Sequence, residues 1–202
     1  MTDRHWEAVY REGDTSKSWY QEHATVSMSL IRGVTSDLAE SSVLDVGGGA
    51  STLVDDLIDA NVSDISVLDV SERALELAQA RLGDQASAVS WIHADLLQWQ
   101  PERTYSVWHD RAVLHFLVKH SERRRYREVL LTATSVGSVA VIGVFSEHGP
   151  TKCSGLDVQR FSIDLLVETV GPGFELVQDS IDVHTTPAGV AQEFRWGVFR
   201  RR

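Results

Sequence analysis

Three acidic residues and a run of glycines form the first pattern in this chain that could do chemistry. Asp45 stands two residues ahead of Gly47-Gly48-Gly49, with Ser51 just behind. Asp69 follows at the end of SVLD, and Asp95 lies in His93-Ala94-Asp95-Leu96. Glycines permit a tight turn and let a ligand approach the main chain. A carboxylate at the position of Asp69 can accept both hydroxyls of a ribose. Asp95 could accept from an adenine amine while Leu96 packs on the ring. Each also has a plain alternative: a turn without a ligand, a turn acid, a loop acid. Ser71 is better placed than Asp69 to cap the following helix.

A second group lies further on. His109, Asp110, Arg111 and His115 fall within seven residues. Both histidines could titrate near neutral pH. If this stretch is helical, Arg111 and His115 share a face. Beside Leu114, Phe116 and Leu117, His115 reads equally as a core residue, and Asp110 and Arg111 could simply pair. Cys153, the single cysteine, sits in a loop-like Gly-Pro-Thr-Lys-Cys-Ser-Gly stretch. It could touch a substrate or be an ordinary thiol.

Alternating strands and helices must position these groups. Val43 to Val46, Ile65 to Val70, Val89 to Ala94, Tyr105 to His109 and Ser138 to Phe145 read as strands. Thr25 to Leu38, Ser51 to Ala60, Glu72 to Leu82, Arg111 to Leu117, Glu122 to Ser135 and Ile163 to Val170 read as helices. That order implies a parallel sheet. Phe174 to Val183 and Val190 to Arg200 lack a helix between them and predict an antiparallel pair. The fold class expected is α/β: a Rossmann-like, seven-stranded, mostly parallel sheet with an antiparallel C-terminal strand and helices on both faces. Residues 1–202 form one domain, with 1–40 as a helical lid over a 41–202 core. The acidic residues then fall at the carboxyl ends of successive strands, where such sheets bind ligands.

A dinucleotide fingerprint would need a small residue where Thr52 stands, and no Walker lysine is present. Asp45 would repel a phosphate but could orient an ammonium. The pattern therefore favours a ligand with ribose, adenine and a positive amino-acid end, S-adenosylmethionine.

The bulk properties set limits. With 19 Lys and Arg against 29 Asp and Glu, the 202 residues carry a formal charge of −10. That argues against a broad nucleic-acid footprint. Arg123, Arg124, Arg125 and Arg127 read as a solvated helix face. A lone cysteine allows no internal disulfide, and a cytoplasmic setting is expected. No apolar run approaches the ~20 residues of a membrane span, and the opening residues do not read as a signal peptide. Metal-ligand spacing is not found.

The chain resembles the class I S-adenosylmethionine-dependent methyltransferases over essentially its whole length. LDVGGGAS is similar to their glycine motif, with Ser51 in place of the third glycine. SVLDVS resembles the ribose-binding strand end, and IHADLLQW the adenine loop. SWYQ, HDRAVLHFL, GPTKCSGL and HTTPAGVAQEF resemble a group of small bacterial methyltransferases. The resemblance implies that Asp45 to Gly49 hold the methionine end, Asp69 and Val70 the ribose, and Asp95 with Leu96 the adenine. It also implies that Trp19 and Tyr20 close over the cofactor. His109 would border the cofactor and, with Arg111 and His115, face the chemistry.

Methyl transfer is an in-line displacement that mainly needs alignment. A base is needed only when the acceptor must lose a proton. With short appended parts, a small-molecule acceptor is expected, with S-adenosylhomocysteine as product and no nucleic-acid or membrane partner. Rival readings are a protein side-chain methyltransferase such as a lysine enzyme, a non-catalytic S-adenosylmethionine-binding protein, and a dinucleotide oxidoreductase.

Overall fold

The computed structural model describes residues 3–11 and 17–202. Short apolar runs build the sheet: β1 (Ser42–Val46), β2 (Asp64–Asp69), β3 (Val89–His93), β4 (Tyr105–Arg111) and β5 (Thr134–Phe145). These five pair in parallel. A small hairpin follows, β6 (Lys152–Cys153) and β7 (Leu156–Asp157). Its two-residue loop, Ser154-Gly155, has φ values of 50° and 78°, the left-handed pair that a tight hairpin turn demands. β8 (Phe174–Thr185) lies at the sheet edge, and β9 (Ala191–Arg201) inserts antiparallel between it and β5. The order is β3-β2-β1-β4-β5-β9-β8. This is the expected mostly parallel, seven-stranded α/β sheet.

Helices cover both faces. α1 (Asp3–Tyr10) contacts α4 (Glu72–Leu82), whose N-cap Ser71 accepts from the amide of Ala74. α2 (Thr25–Val34), α3 (Leu53–Asp59) and α4 share one core with Val43, Val67 and Val107. α5 (His120–Thr132) and α6 (Ile163–Val170) share the other with Leu44, Val46 and Trp108. The two-residue period of a strand separates these sets. Asp45, His109 and Arg111 thereby face α2, whereas Asp110 faces α5.

Two readings of the sequence are corrected. The stretch after β4 is not a helix. The strand runs to Arg111, Ala112 takes φ 73°, and only Leu114–Phe116 make a short 3₁₀ turn. Arg111 and His115 therefore do not share a helical face. Nor are the α5 arginines merely a solvated face. Arg123, Arg125 and Arg127 donate to the carbonyls of Leu117, Leu97 and Thr169, fastening two loops and the last turn of α6 to the helix.

Candidate functional site

At the carboxyl ends of β1, β2 and β4 lies a cavity with about 1240 Å³ of empty volume, part of it open to solvent. Trp19, Tyr20, Asp45, Gly47, Gly48, Ser51, Asp69, Val70, Asp95, Leu96, His109, Arg111 and Cys153 all line it. Of the residues singled out in the sequence, Gly49 lies behind the lining and His115 outside it.

The β1–α3 turn is shaped around two carboxylates. A Cβ added at Gly48 would collide with the Asp45 carboxylate and lie 2.8 Å from Val67. At Gly49, where φ is +41°, a Cβ would stand 2.7 Å from Oδ2 of Asp69. Asp69 accepts the Ser71 amide on Oδ1 at 2.8 Å. Burial, aided by the nearby Asp45 charge, pushes its pKa up to about 7, against the pull of the Ser71 and Val70 amides and of His93. The glycines thus leave Oδ2 of Asp69 clear for a hydroxyl donor.

Asp95 turns its own loop: Oδ1 accepts the amide of Leu97 at 2.9 Å, and Leu96 is buried beneath. Asp45 and His109 are partners across β1 and β4. Nδ1 of His109 lies 2.7 Å from Oδ1 of Asp45, and its Nε2 lies 2.9 Å from the hydroxyl of Ser27 on α2. Both ring nitrogens are engaged, so His109 must give up a bond before it can take a proton from a ligand. Asp110, on the opposite face, accepts from Tyr126 Oη at 2.7 Å and from the amides of Val113 and Leu114. Burial raises its pKa to about 6. It fixes the loop after β4 and does not pair with Arg111.

His115 is fully buried between Phe116 and Phe145, with ring centroids 4.5 Å from each. Burial, with the Arg111 charge adding to it, pushes its pKa down to about 3. A neutral imidazole of that kind is a poor base near pH 7. Burial pushes the Cys153 thiol up, so it stays protonated.

The segment from Ser18 to Ala24 roofs the cavity and is held by four main-chain tethers, with the His23 ring 2.8 Å from Oδ1 of Asp56 as a fifth. Ser18 and Trp19 offer their carbonyls to His184 Nε2 at 2.8 Å and Arg111 Nη1 at 2.9 Å. The Gln21 carbonyl accepts from Thr52 Oγ1 at 3.1 Å, and the Ala24 amide donates to Asp56 at 2.6 Å. Trp6 stands edge-on to Trp19 and Phe116, and Tyr10 to Trp19. Trp6, Tyr10 and Phe116 also line the cavity. Trp6 and Tyr10 stand in an aromatic-rich opening stretch, and Phe116 read only as an apolar neighbour of His115. Ser27 interrupts the apolar stripe of α2, which was its one available sign.

Among the described residues no group of His, Cys, Asp or Glu is arranged to hold a metal ion, and no helix is long and apolar enough to cross a membrane. Residues 43–137, from β1 into β5, match a family model described as a methyltransferase domain. That segment, just under half of the chain, is a methyltransferase domain, and the fold as a whole is the one S-adenosylmethionine-dependent methyltransferases adopt.

A structural relative of this methyltransferase is the N-methyltransferase NodS from Bradyrhizobium japonicum WM9 in complex with S-adenosylhomocysteine. The two are 17% identical, cover 98% of each other and superpose with a TM-score of 0.74. The Burkholderia thailandensis 1,6-didemethyltoxoflavin-N1-methyltransferase, with bound 1,6-didemethyltoxoflavin and S-adenosylhomocysteine, is 16% identical. It covers 86% of this chain and 76% of its own at a TM-score of 0.64. In sequence, the eEF1A lysine and N-terminal methyltransferase of Mus musculus is 26% identical over 141 residues, 69% of this chain. The chain spans about one fifth of the length of that relative.

Proposed function

We propose that this methyltransferase acts on a small molecule bound beside the cofactor, releasing S-adenosylhomocysteine. The observation that carries this reading is the roof. The segment from Ser18 to Ala24 closes over the cavity through main-chain tethers to three different elements of the core. A folded partner would have to displace it, whereas a small acceptor needs only the space beneath. The Burkholderia relative, named for a small-molecule substrate, supports the same choice.

In this reading residues 1–40 are a lid on the 41–202 core. Asp69 accepts the ribose hydroxyls, which the cleared Oδ2 suits. Val70 borders the ribose, and Asp95 and Leu96 take the adenine. Asp45, Gly47 and Gly48 receive the amino-acid end, with Ser51 beside them and Gly49 keeping Asp69 open. Trp19 and Tyr20 cover the cofactor. His109 is a positioning residue, since its Nδ1 holds the Asp45 carboxylate. The cofactor supplies an electrophilic methyl on a sulfonium. The chain's task is to align an acceptor with it and exclude water. His115, neutral and behind the wall, shapes the pocket rather than moving a proton.

A second reading has one specific support: the murine relative is a protein methyltransferase, and a lysine side chain is slender enough to enter the cavity. Incubating the protein with methyl-tritiated S-adenosylmethionine and a cell extract split at 3 kDa separates the two. Label in the small-molecule fraction supports the proposal. Label confined to a protein band would replace it, and cofactor binding without label in either fraction would leave a non-catalytic binding protein.

A further inference from the structure

One cation in the cavity is left over once the cofactor's groups have their partners. Arg111 lies at the end of β4, and Nη1 makes its hydrogen bond to the Trp19 carbonyl. Nη2 is buried and has no partner. No carboxylate of the described residues lies within ion-pair distance of the guanidinium, whose carbon sits 4.9 Å from the Phe194 ring centroid. Asp182, Cys153 and Asp45 act on it only at longer range. Burial brings its pKa down to about 10, which leaves it charged near neutrality. An uncompensated buried charge is costly. A guanidinium fork also matches the two oxygens of a carboxylate or phosphate.

Its direction matters. β4 lies between β1 and β5, and Phe194 belongs to β9 beyond β5. Arg111 thus extends away from β1 and β2, whose ends carry the glycine turn and Asp69. The walls on its side are Trp19, Phe116 and Cys153.

We propose that Arg111 is the anion anchor of the acceptor subsite, so that the methyl acceptor is a small molecule with an apolar body and a carboxylate or phosphate group. This inference rests on the small-molecule reading above. The anionic group takes the guanidinium edge and fixes the register of the acceptor against the methyl. Arg111 is a specificity residue here, not a base.

The test uses the full chain saturated with S-adenosylhomocysteine and melted with millimolar benzoate, phenyl phosphate or benzamide. One anion should raise Tm by about 2–4 °C, the response to roughly 1 kcal/mol of binding in a chain of this size, and benzamide should not. Whichever anion acts distinguishes the carboxylate from the phosphate source. In Arg111→Met the response should vanish, while affinity for S-adenosylhomocysteine stays within about threefold, a change worth under 1 kcal/mol. The ligand-free Arg111→Met protein should melt higher than wild type, because the uncompensated charge is gone. Arg111→Lys, which keeps the charge and loses the fork, should retain a weaker response.

Equal stabilisation by benzamide, or an anion response that survives in Arg111→Met, would overturn the proposal. Loss of S-adenosylhomocysteine affinity in that variant would reassign Arg111 to the cofactor's own carboxylate. A ligand-free variant that melts lower would make it a structural tether for Trp19. Tritium found only in protein, with the anion response intact, would sink the small-molecule reading and leave the anion subsite standing.

Discussion

Replacing Asp69 with Asn separates the cost of burying its carboxylate from what that carboxylate does for the cofactor. Its pKa rises from 3.8 to about 7 on folding, with burial as the main cause. A carboxyl whose folded pKa is raised holds its proton more tightly in the folded state. Its contribution to stability is therefore favourable at acid pH and is lost as pH climbs from about 4 to about 7. Three units at about 1.36 kcal/mol each put the penalty above pH 7 at about 4 kcal/mol. Asn removes that penalty and keeps an oxygen for the Ser71 amide. Ligand-free Asp69→Asn should then melt several degrees above wild type at pH 8 and close to it near pH 4.

Binding should move the other way. The ribose hydroxyls need an ionised acceptor, and with a pKa of about 7 the ionised fraction falls about tenfold between pH 8 and pH 6. Affinity of wild type for S-adenosylhomocysteine should fall by about the same factor. Trading two charge-assisted hydrogen bonds for one neutral one costs about 2–4 kcal/mol, or about 30- to 1,000-fold in Kd. Calorimetric titration from pH 6 to 8 reads both effects, and Asp69→Asn should be flat across the range. The neighbouring charges that could blur the profile are Asp45 and His93. A wild-type affinity independent of pH, or a variant that binds like wild type, would refute the assignment of Asp69 to the ribose.

Other substitutions probe the frame around it. Gly49→Ala forces a left-handed alanine at roughly 1–2 kcal/mol and pushes a methyl against Asp69. Calorimetry should show S-adenosylhomocysteine binding weakened by about tenfold or more, the equivalent of 1.4 kcal/mol. His109→Ala leaves Asp45 buried without its partner, a loss of about 3–5 kcal/mol. Its melting temperature should drop by roughly 6–20 °C. Ala112→Gly relieves the φ of 73° and should gain up to about 1 kcal/mol in urea denaturation, with methyl transfer unchanged.

The sheet was legible because its strands are apolar runs separated by helical periods. The acids and glycines that line the cavity were legible because they fall at successive strand ends. The β4 connection misled for a physical reason. Leu114, Phe116 and Leu117 mimic a helical stripe, and the residue that breaks it is Ala112, which carries no warning that it will adopt positive φ. Cys153 read as part of a loop, although Ser154-Gly155 behind it is the turn that folds a hairpin and carries the thiol to the cavity wall. Pairing of Asp110 with Arg111 failed because neighbours on a strand point to opposite faces. The α5 arginines looked solvated because their partners are carbonyls, which any residue supplies.

The roof is fastened in the same currency. From Ser18 to Ala24 it offers main-chain oxygens and one amide, plus the His23 ring on Asp56, while the side chains that grip its main chain, His184, Arg111, Thr52 and Asp56, all belong to the core. The main-chain tethers at positions 18, 19 and 21 therefore do not depend on which side chains stand there. Residue 19 in particular can be redrawn to suit a differently shaped acceptor. A library that varies these positions alone would retune specificity while leaving the clasp shut, whereas drift at His184, Thr52 or Asp56 would loosen it whatever the roof's own sequence.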